Sequence, residues 1–396
     1  MWNQKCALAD FQVIRPPFET TQEHALEWII SAHTQAEISK ENGKLTAEQI
    51  AAFRARLTEK VWKIGCKPDS IYKRGHCLPD FLHCNWSEML IYRLTEEPQG
   101  VSLAKRAKFY EETVDSILRS FYHTEIDPPK HIIHVTCTGY VTPCGPQKLV
   151  SYKGWEAETT VTHAYHMGCY ASIPAIRMGV GFTHQTQERT DIVHTEICTL
   201  HNNPLLHDAD QLVAQTLFAD GFIKYSVFPE RQLNLRTSTE ANLPSAYFKL
   251  LGLHQQTVPQ SSELMTWKLT EWGFHLVISK EVPVFIARGI QGFIHALCAK
   301  SEVVEAYVIE HAIFAIHPGG PKIVRYVQQM LGLKDSQIQA SLHVLQHYGN
   351  MSSATLPHIW KALSDDPDVP AGTLVISLAF GPGLTIAGSV LQLEKI

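Results

Sequence analysis

An α/β fold is predicted for this 396-residue chain, and three observations predict it. From His131 onward, short β-rich runs alternate with helical stretches. Gly and Pro turns separate those runs. Apolar residues are 45% of the chain, enough to cover a sheet on both faces.

The elements can be justified in order. Residues 19–34 and 46–62 return an apolar side chain every three or four positions, so both are predicted helices. Thr46, followed by Glu48 and Gln49, reads as a capped helix start. A third helix is expected over 102–121, with Leu103, Ala107, Tyr110, Val114 and Leu118 on its apolar face. Pro128-Pro129 breaks the chain, and a strand follows over 131–138. Strands are then expected at 159–165, 191–199 and 221–228, with helices at 172–179 and 208–218 between them. A looser region covers 230–265. Beyond it, 274–278 is extended, 284–301 helical, and 306–316 ends in a strand. Helices at 321–331 and 351–363 complete the pattern. A boundary near 240 divides the chain into expected units of 1–240 and 241–396.

Residues 372–393 carry no charge and are long enough to cross a bilayer. Gly381-Pro382-Gly383 splits that stretch into two β-rich runs, which favours buried strands around a tight loop over a membrane span.

Acidic side chains (39) outnumber basic ones (34), so the formal charge of -5 offers no global field for a nucleic-acid partner. Nine cysteines, an odd number widely scattered, read as reduced thiols rather than a disulfide framework. The first ten residues lack the apolar core of a signal peptide, so a cytoplasmic protein is expected.

Three segments carry candidate chemistry. In His163-Ala-Tyr-His-Met-Gly-Cys169, a strand runs through Gly168 towards a helix, and Pro174 fits only a first turn. Cys169 then sits at a helix N-terminus, where the dipole and free amides favour thiolate and mark a nucleophile. An inert buried thiol is the bland alternative. A metal site built from His163, His166 and Cys169 lacks a specified fourth ligand, and strand alternation turns the two histidines to opposite faces. No metal is expected. The second segment, Ile313-Phe-Ala-Ile-His317-Pro-Gly-Gly, ends an apolar strand on an imidazole. In the third, Gly349-Asn350-Met-Ser-Ser, a polar turn feeds a helix, and Asn is also a common turn or cap residue. Cys, His and Asn together suit acyl transfer through a thioester followed by carbon–carbon bond formation, or a papain-like thiol hydrolase. The hydrolase places its cysteine near the mature N-terminus in a different motif, which weakens that reading.

Gly168-Cys169, His317-Pro-Gly-Gly-Pro321, Gly349-Asn-Met-Ser-Ser-Ala354 and Phe380-Gly-Pro-Gly-Leu-Thr385 resemble the signatures of type III polyketide synthases, the chalcone synthase-like family of the thiolase superfamily. Leu212 to Gly221, Glu196 and Gly273-Phe-His-Leu add weaker matches, and the likeness runs from about residue 50 to the C-terminus. It implies a thiolase fold of two similar halves in a five-layered αβαβα stack, and a homodimer. It implies Cys169 as nucleophile, with His317 and Asn350 as the decarboxylation and oxyanion pair. Phe218 and Phe274 match the family's gatekeepers, and Cys137, Cys198, His201 and Ala214 fall at cavity positions. Substrates would be coenzyme A thioesters, an acyl starter and malonyl extender, with no further cofactor. Lys60, Lys63 and Lys67 are candidates for the coenzyme A phosphates, in a stretch that Lys73 and Arg74 keep basic. An insertion around Cys66 to Ser70 leaves an acyl carrier protein open as starter donor. His201 and Cys198 replace threonines, Thr142 replaces the plant interface Met, and Ala379 replaces a loop glycine, against a plant-type flavonoid product. A single-condensation β-ketoacyl synthase III-like enzyme is the nearest alternative, although its motifs differ after the His and the Asn. A thiolase would need a second late cysteine, and Cys298 is the last. A silent acyl-binding protein is disfavoured because all three polar positions are filled.

Overall fold

The computed structural model describes residues 5–232 and 246–395. The first part contains β1 (Cys6–Ile14), β2 (Phe18–Thr21), α1 (Gln22–Lys40), α2 (Ala47–Ile64), β3 (Lys73–His76), α3 (Leu103–Phe121) and β4 (His131–Thr136). It continues with α4 (Gly145–Lys153), β5 (Thr160–Tyr165), α5 (Ser172–Thr186), β6 (Thr190–Ile197), α6 (Ala209–Leu217) and β7 (Asp220–Pro229). The second part has β8 (Ala246–Thr257), β9 (Met265–Leu269), β10 (Phe274–Ile278), α7 (Val282–Lys300), α8 (Glu305–His311) and β11 (Ile313–Ile316). It ends with α9 (Pro321–Leu331), α10 (Asp335–Tyr348), α11 (Thr355–Asp365), β12 (Leu374–Gly381) and β13 (Thr385–Lys395).

Nine strands form one sheet in the order β11-β12-β13-β8-β1-β7-β6-β4-β5. Its middle is a seam, since β8 meets β1 through only the pairs Ala7–Lys249 and Leu8–Phe248. Outward from the seam the two sides repeat. β1, β7 and β6 pair antiparallel in turn and β4 then joins parallel, as β8, β13, β12 and β11 do on the other side. The first side carries one further parallel strand, β5. The thiolase fold predicted for the chain is thus the observed one.

Burial explains the layers. Helices α5 and α11 lie between the two sides, and Ile176, Ile359 and Trp360 share one core with Leu8, Ile223, Val375 and Leu391 of the flanking strands. Outside, α3 packs Val114 and Leu118 over the first side, while α7 packs Ile290, Phe293 and Leu297 over the second. Each such aliphatic or aromatic side chain contributes about 1.5–3 kcal/mol when removed from water. The indole of Trp360 donates to Ser377 Oγ at 2.9 Å, which satisfies its one polar atom in the central layer.

Several predicted elements stand with small shifts, and Thr46 makes a full capping box with Gln49. The looser region does not hold beyond 245. Residues 246–257 form β8, a strand at the seam, and its Gly252, His254 and Gln255 had masked the apolar alternation. β1, α4 and α10 are also additional to the predicted elements. The uncharged stretch at 372–393 is the hairpin β12–β13. Among the described residues one helix, α7, is long and apolar enough to cross a membrane, and its apolar face is the one packed on the sheet. The boundary expected at 240/241 lies outside the described residues.

Candidate active site

One cavity collects the candidate residues. Its lining includes Cys169, His317 and Asn350, together with Cys137, Cys198, His201, Ala214, Phe218 and Phe274. It has about 970 Å³ of unfilled space counted to its open mouth, ample for a small-molecule site. The lysines at 60, 63 and 67 are not part of that lining.

Cys169 lies in a 3-10 turn, Gly168–Tyr170, that precedes α5. Gly168 has φ 75°, and a Cβ there would stand 2.7 Å from Pro382 Cδ, so this tight elbow requires glycine. His166 also takes a positive φ of 61°, and its Nε2 bonds the Trp267 carbonyl at 2.9 Å. Pro174 is the third residue of α5, in the first turn as the sequence implied. The electrostatic expectation needs correction. Burial pushes the Cys169 thiol up to about 12, and this outweighs the lowering by Ser352, the local backbone and the Asn350 side chain. The helix terminus does not by itself create a thiolate.

His317 follows β11, where its N–H donates to Leu378 O at 2.7 Å and its carbonyl accepts from Gly319 N at 2.9 Å. The backbone is fixed, yet both ring nitrogens are buried without a hydrogen-bond partner. Burial lowers the imidazole pKa to about 3. A buried polar group left open costs stability unless a ligand uses it. Asn350 is held from both sides. Its N–H donates to Leu217 O at 3.0 Å, and its carbonyl accepts from Ala219 N at 2.8 Å, clamping the strand segment that bears Phe218. Asn350 Oδ1 accepts from Ser352 N at 2.9 Å, which leaves the Nδ2 donors for the cavity. Gly349, at φ 74°, brings this turn against Ala219 and Arg74, where a Cβ would approach both at 3.0 Å.

The sulfur of Cys169 lies 3.8 Å from Ser352 Oγ, which is also 2.9 Å from Cys137 Sγ. Cys137 is bound in turn to Glu196, whose carboxylate accepts its N–H at 3.1 Å and its thiol at 3.4 Å. Thr138 Oγ1 at 2.9 Å and the Ser353 hydroxyl also donate to Glu196, while burial raises its pKa. Phe274 is tied into the wall, its ring stacked on His201 at 4.4 Å. Trp267 and Gln211, not foreseen from the sequence, also face the cavity. The alternation Met265-Thr-Trp267 was the available signal, and it needs a known partner strand to say which face is inward.

Lys60 and Lys63 are exposed at the end of α2, with exposed Lys67 just beyond, and Lys60 Nζ donates to His207 O at 2.6 Å. Arg74 behaves differently from its basic neighbours. It is buried and donates to the carbonyls of Gln215 (2.8 Å) and Phe218 (2.5 Å), so it secures the end of α6 instead of facing a phosphate. Among the described residues no cluster of three His, Cys, Asp or Glu side chains could hold a metal.

Residues 249–394 match the family model for chalcone and stilbene synthases, C-terminal domain. A probable polyketide synthase of Dictyostelium discoideum is 28% identical over 265 residues, covering 66% of this chain and 8% of that protein. The chain therefore spans under a tenth of that relative's length. Among solved structures, the C-terminal type III polyketide synthase domain of the Dictyostelium type I/III hybrid Steely1 superposes with a TM-score of 0.79 at 21% identity, covering 99% of this chain and 100% of that one. PKS-I of the brown alga Ectocarpus siliculosus gives 0.80 at 18% identity, covering 99% of each chain. The tetrahydroxynaphthalene synthase of Streptomyces coelicolor, a bacterial type III polyketide synthase, gives 0.74 at 19%, covering 98% of this chain and 100% of that one. The chain thus resembles the chalcone and stilbene synthases over residues 249–394, and over nearly its whole length it has the fold of the type III polyketide synthases.

Proposed function

We propose that the chain is an acyltransferase that loads an acyl starter on Cys169 and extends it by decarboxylative condensation with a malonyl thioester. The observation that carries this reading is the meeting of a thiol, an imidazole with both nitrogens open and a carboxamide with free donors in one largely apolar cavity. Cys169 Sγ attacks the starter's thioester carbonyl, the carrier thiolate leaves with a proton, and an acyl–Cys169 thioester remains. Burial opposes either charge alone, so the thiolate forms against protonated His317, with Ser352 and Asn350 as further donors to sulfur. When the malonyl unit loses carbon dioxide, the enolate oxygen receives hydrogen bonds from His317 and Asn350 Nδ2, a contribution of about 3 kcal/mol per donor. The enolate carbon then attacks the acyl carbonyl, the C–S bond breaks, and a β-ketoacyl thioester forms. Phe218 and Phe274 keep water from the carbanion and from the acyl-enzyme.

Lys60, Lys63 and Lys67 are assigned to the phosphates of a coenzyme A or carrier-protein arm, which their exposure permits. A homodimer fits the open edge of β5, six residues without Lys or Pro whose outward backbone groups a second copy would satisfy. The units 1–240 and 241–396 and a cytoplasmic setting belong to the same reading. The test is incubation with acyl and malonyl thioesters, followed by product mass. Products heavier by whole two-carbon units are expected; a cyclised pyrone would appear as the linear acid less water, and a resorcinol as the linear acid less water and carbon dioxide. Release of free acid alone would replace this reading with a thiol hydrolase, and one added unit only would favour a β-ketoacyl synthase III-like enzyme.

A further inference from the structure

We infer that the starter is an aliphatic acyl group without polar substituents, received in an arm of the cavity walled by the hairpin β9–β10 and helix α7, with Trp267 limiting its depth. This rests on the condensing reading above and names the substrate class for that site.

The hairpin supplies the wall. β9 and β10 pair antiparallel with Trp267 opposite Leu276 and Met265 opposite Ile278. Because side chains alternate along a strand, these four share the face that lines the cavity, while Thr266, Lys268 and His275 take the other. Val282 and Ile286, one turn apart on α7, and Ile323 at the start of α9 complete a surface of branched and flexible aliphatic groups. Such a surface conforms to a hydrocarbon chain and offers no flat slot for a ring.

Hydrogen bonding decides the substrate class more sharply. The polar side chains on the walls are already engaged with the protein. Trp267 Nε1 donates to Cys137 O at 2.6 Å, and Gln211 Nε2 donates to Leu276 O. His201 uses both nitrogens, Nε2 towards Thr138 O at 2.8 Å and Nδ1 accepting from Phe274 N at 3.2 Å. Gln215 Oε1 pairs with His33 Nε2 at 2.8 Å. The exceptions are half-buried Asn202, Gln211 Oε1 and the weakly polar Cys198 thiol. A site built for a phenol or hydroxyl keeps partners open for it, because those partners reject the analogue lacking the group. Here, those exceptions apart, the open groups are those of the reacting centre.

The aromatic rings of the wall already pack on one another. Trp267 stands edge-on to His201 (centroids 5.7 Å, 88°) and to Phe274 (5.6 Å, 71°). The hydrogen bonds of Trp267 and His201 stop these rings from turning aside. The indole is therefore a fixed stop.

The test is the rate of acyl loading on Cys169, read by intact mass, with hexanoyl-, octanoyl-, decanoyl-, dodecanoyl-, benzoyl- and 4-hydroxybenzoyl-coenzyme A. An aliphatic chain is expected to load at least about tenfold faster than either aryl group. Trp267→Ala should move the preferred length upward, and Ile286→Trp, which adds bulk to the same arm, should move it downward. Equal or faster loading of an aryl group, or an unmoved length preference in both variants, would overturn the inference while leaving the condensing reading intact. If no thioester loads and malonyl-coenzyme A is not decarboxylated, the underlying reading fails and takes this inference with it.

Discussion

The two halves of the sheet end in the same places with different chemistry. β4 on the first side and β11 on the second hold matching positions, each parallel to the next strand inward. Just past β4, Cys137 is held by the Glu196 carboxylate near the end of β6. Just past β11, His317 has no such partner, because the position in the same register on β12 is Ala379, which carries no polar group. The turns before the central helices are paired as well, Cys169 ahead of α5 and Asn350 ahead of α11. One scaffold thus brings four polar groups to one cavity, satisfies Cys137 internally and leaves His317 open. The lesson is that function follows the unsatisfied member of a matched pair, since only that member gains by meeting a ligand.

Substitutions can break this contrast. The largest effect is expected from Cys169→Ala, which should abolish acyl loading in intact-mass measurements; a normally loaded variant would remove Cys169 from the chemistry. Next, Asn350→Ala should slow malonyl decarboxylation about 10²–10³-fold, measured as carbon dioxide release, with Cys169 still alkylatable. His317→Ala sharpens the electrostatics. Alkylation follows the thiolate, and a positive imidazole lowers the sulfur's pKa, so removing it should shift the iodoacetamide rate profile to higher pH, towards the value of about 12 that burial imposes. An unshifted profile would mean that His317 does not charge the sulfur.

On the other half the expected effect is stability. Glu196→Leu strips partners from the Cys137 amide and the Thr138 and Ser353 hydroxyls, all buried. A loss of about 2–4 kcal/mol is expected in urea unfolding, with Glu196→Gln closer to wild type. No change would make Glu196 a functional group instead. The smallest effect concerns the exposed lysines. Replacing Lys63 and Lys67 together by Ala should raise KM for a coenzyme A thioester a few-fold (about 1 kcal/mol) with kcat unchanged, and more so at low salt.

Much of the site was legible because its turns need particular residues. Gly168 and Gly349 hold positive φ values beside crowding neighbours, so the glycines flank Cys169 and Asn350 visibly in the sequence. Pro321 likewise marks the start of α9. β8 was illegible for the opposite reason. It mixes Lys249, His254, Gln255 and Gln256 with apolar residues, and what makes it a strand is pairing with β13 along its whole length. The basic stretch 60–74 misled in part, since local sequence cannot show that Arg74 turns inward to two carbonyls while Lys67 faces water.

By itself the sequence determined the alternation of elements, the turns that bear the thiol, imidazole and carboxamide, and the likeness to a family, because these depend on residue type and on spacing within a few positions. Only the tertiary structure decided that residues 169, 317 and 350 share a cavity, that Trp267 closes one side of it, and that burial raises the thiol while lowering the imidazole. Desolvation and open hydrogen bonds are properties of what surrounds an atom, and for these atoms the surroundings come from segments well over a hundred residues apart.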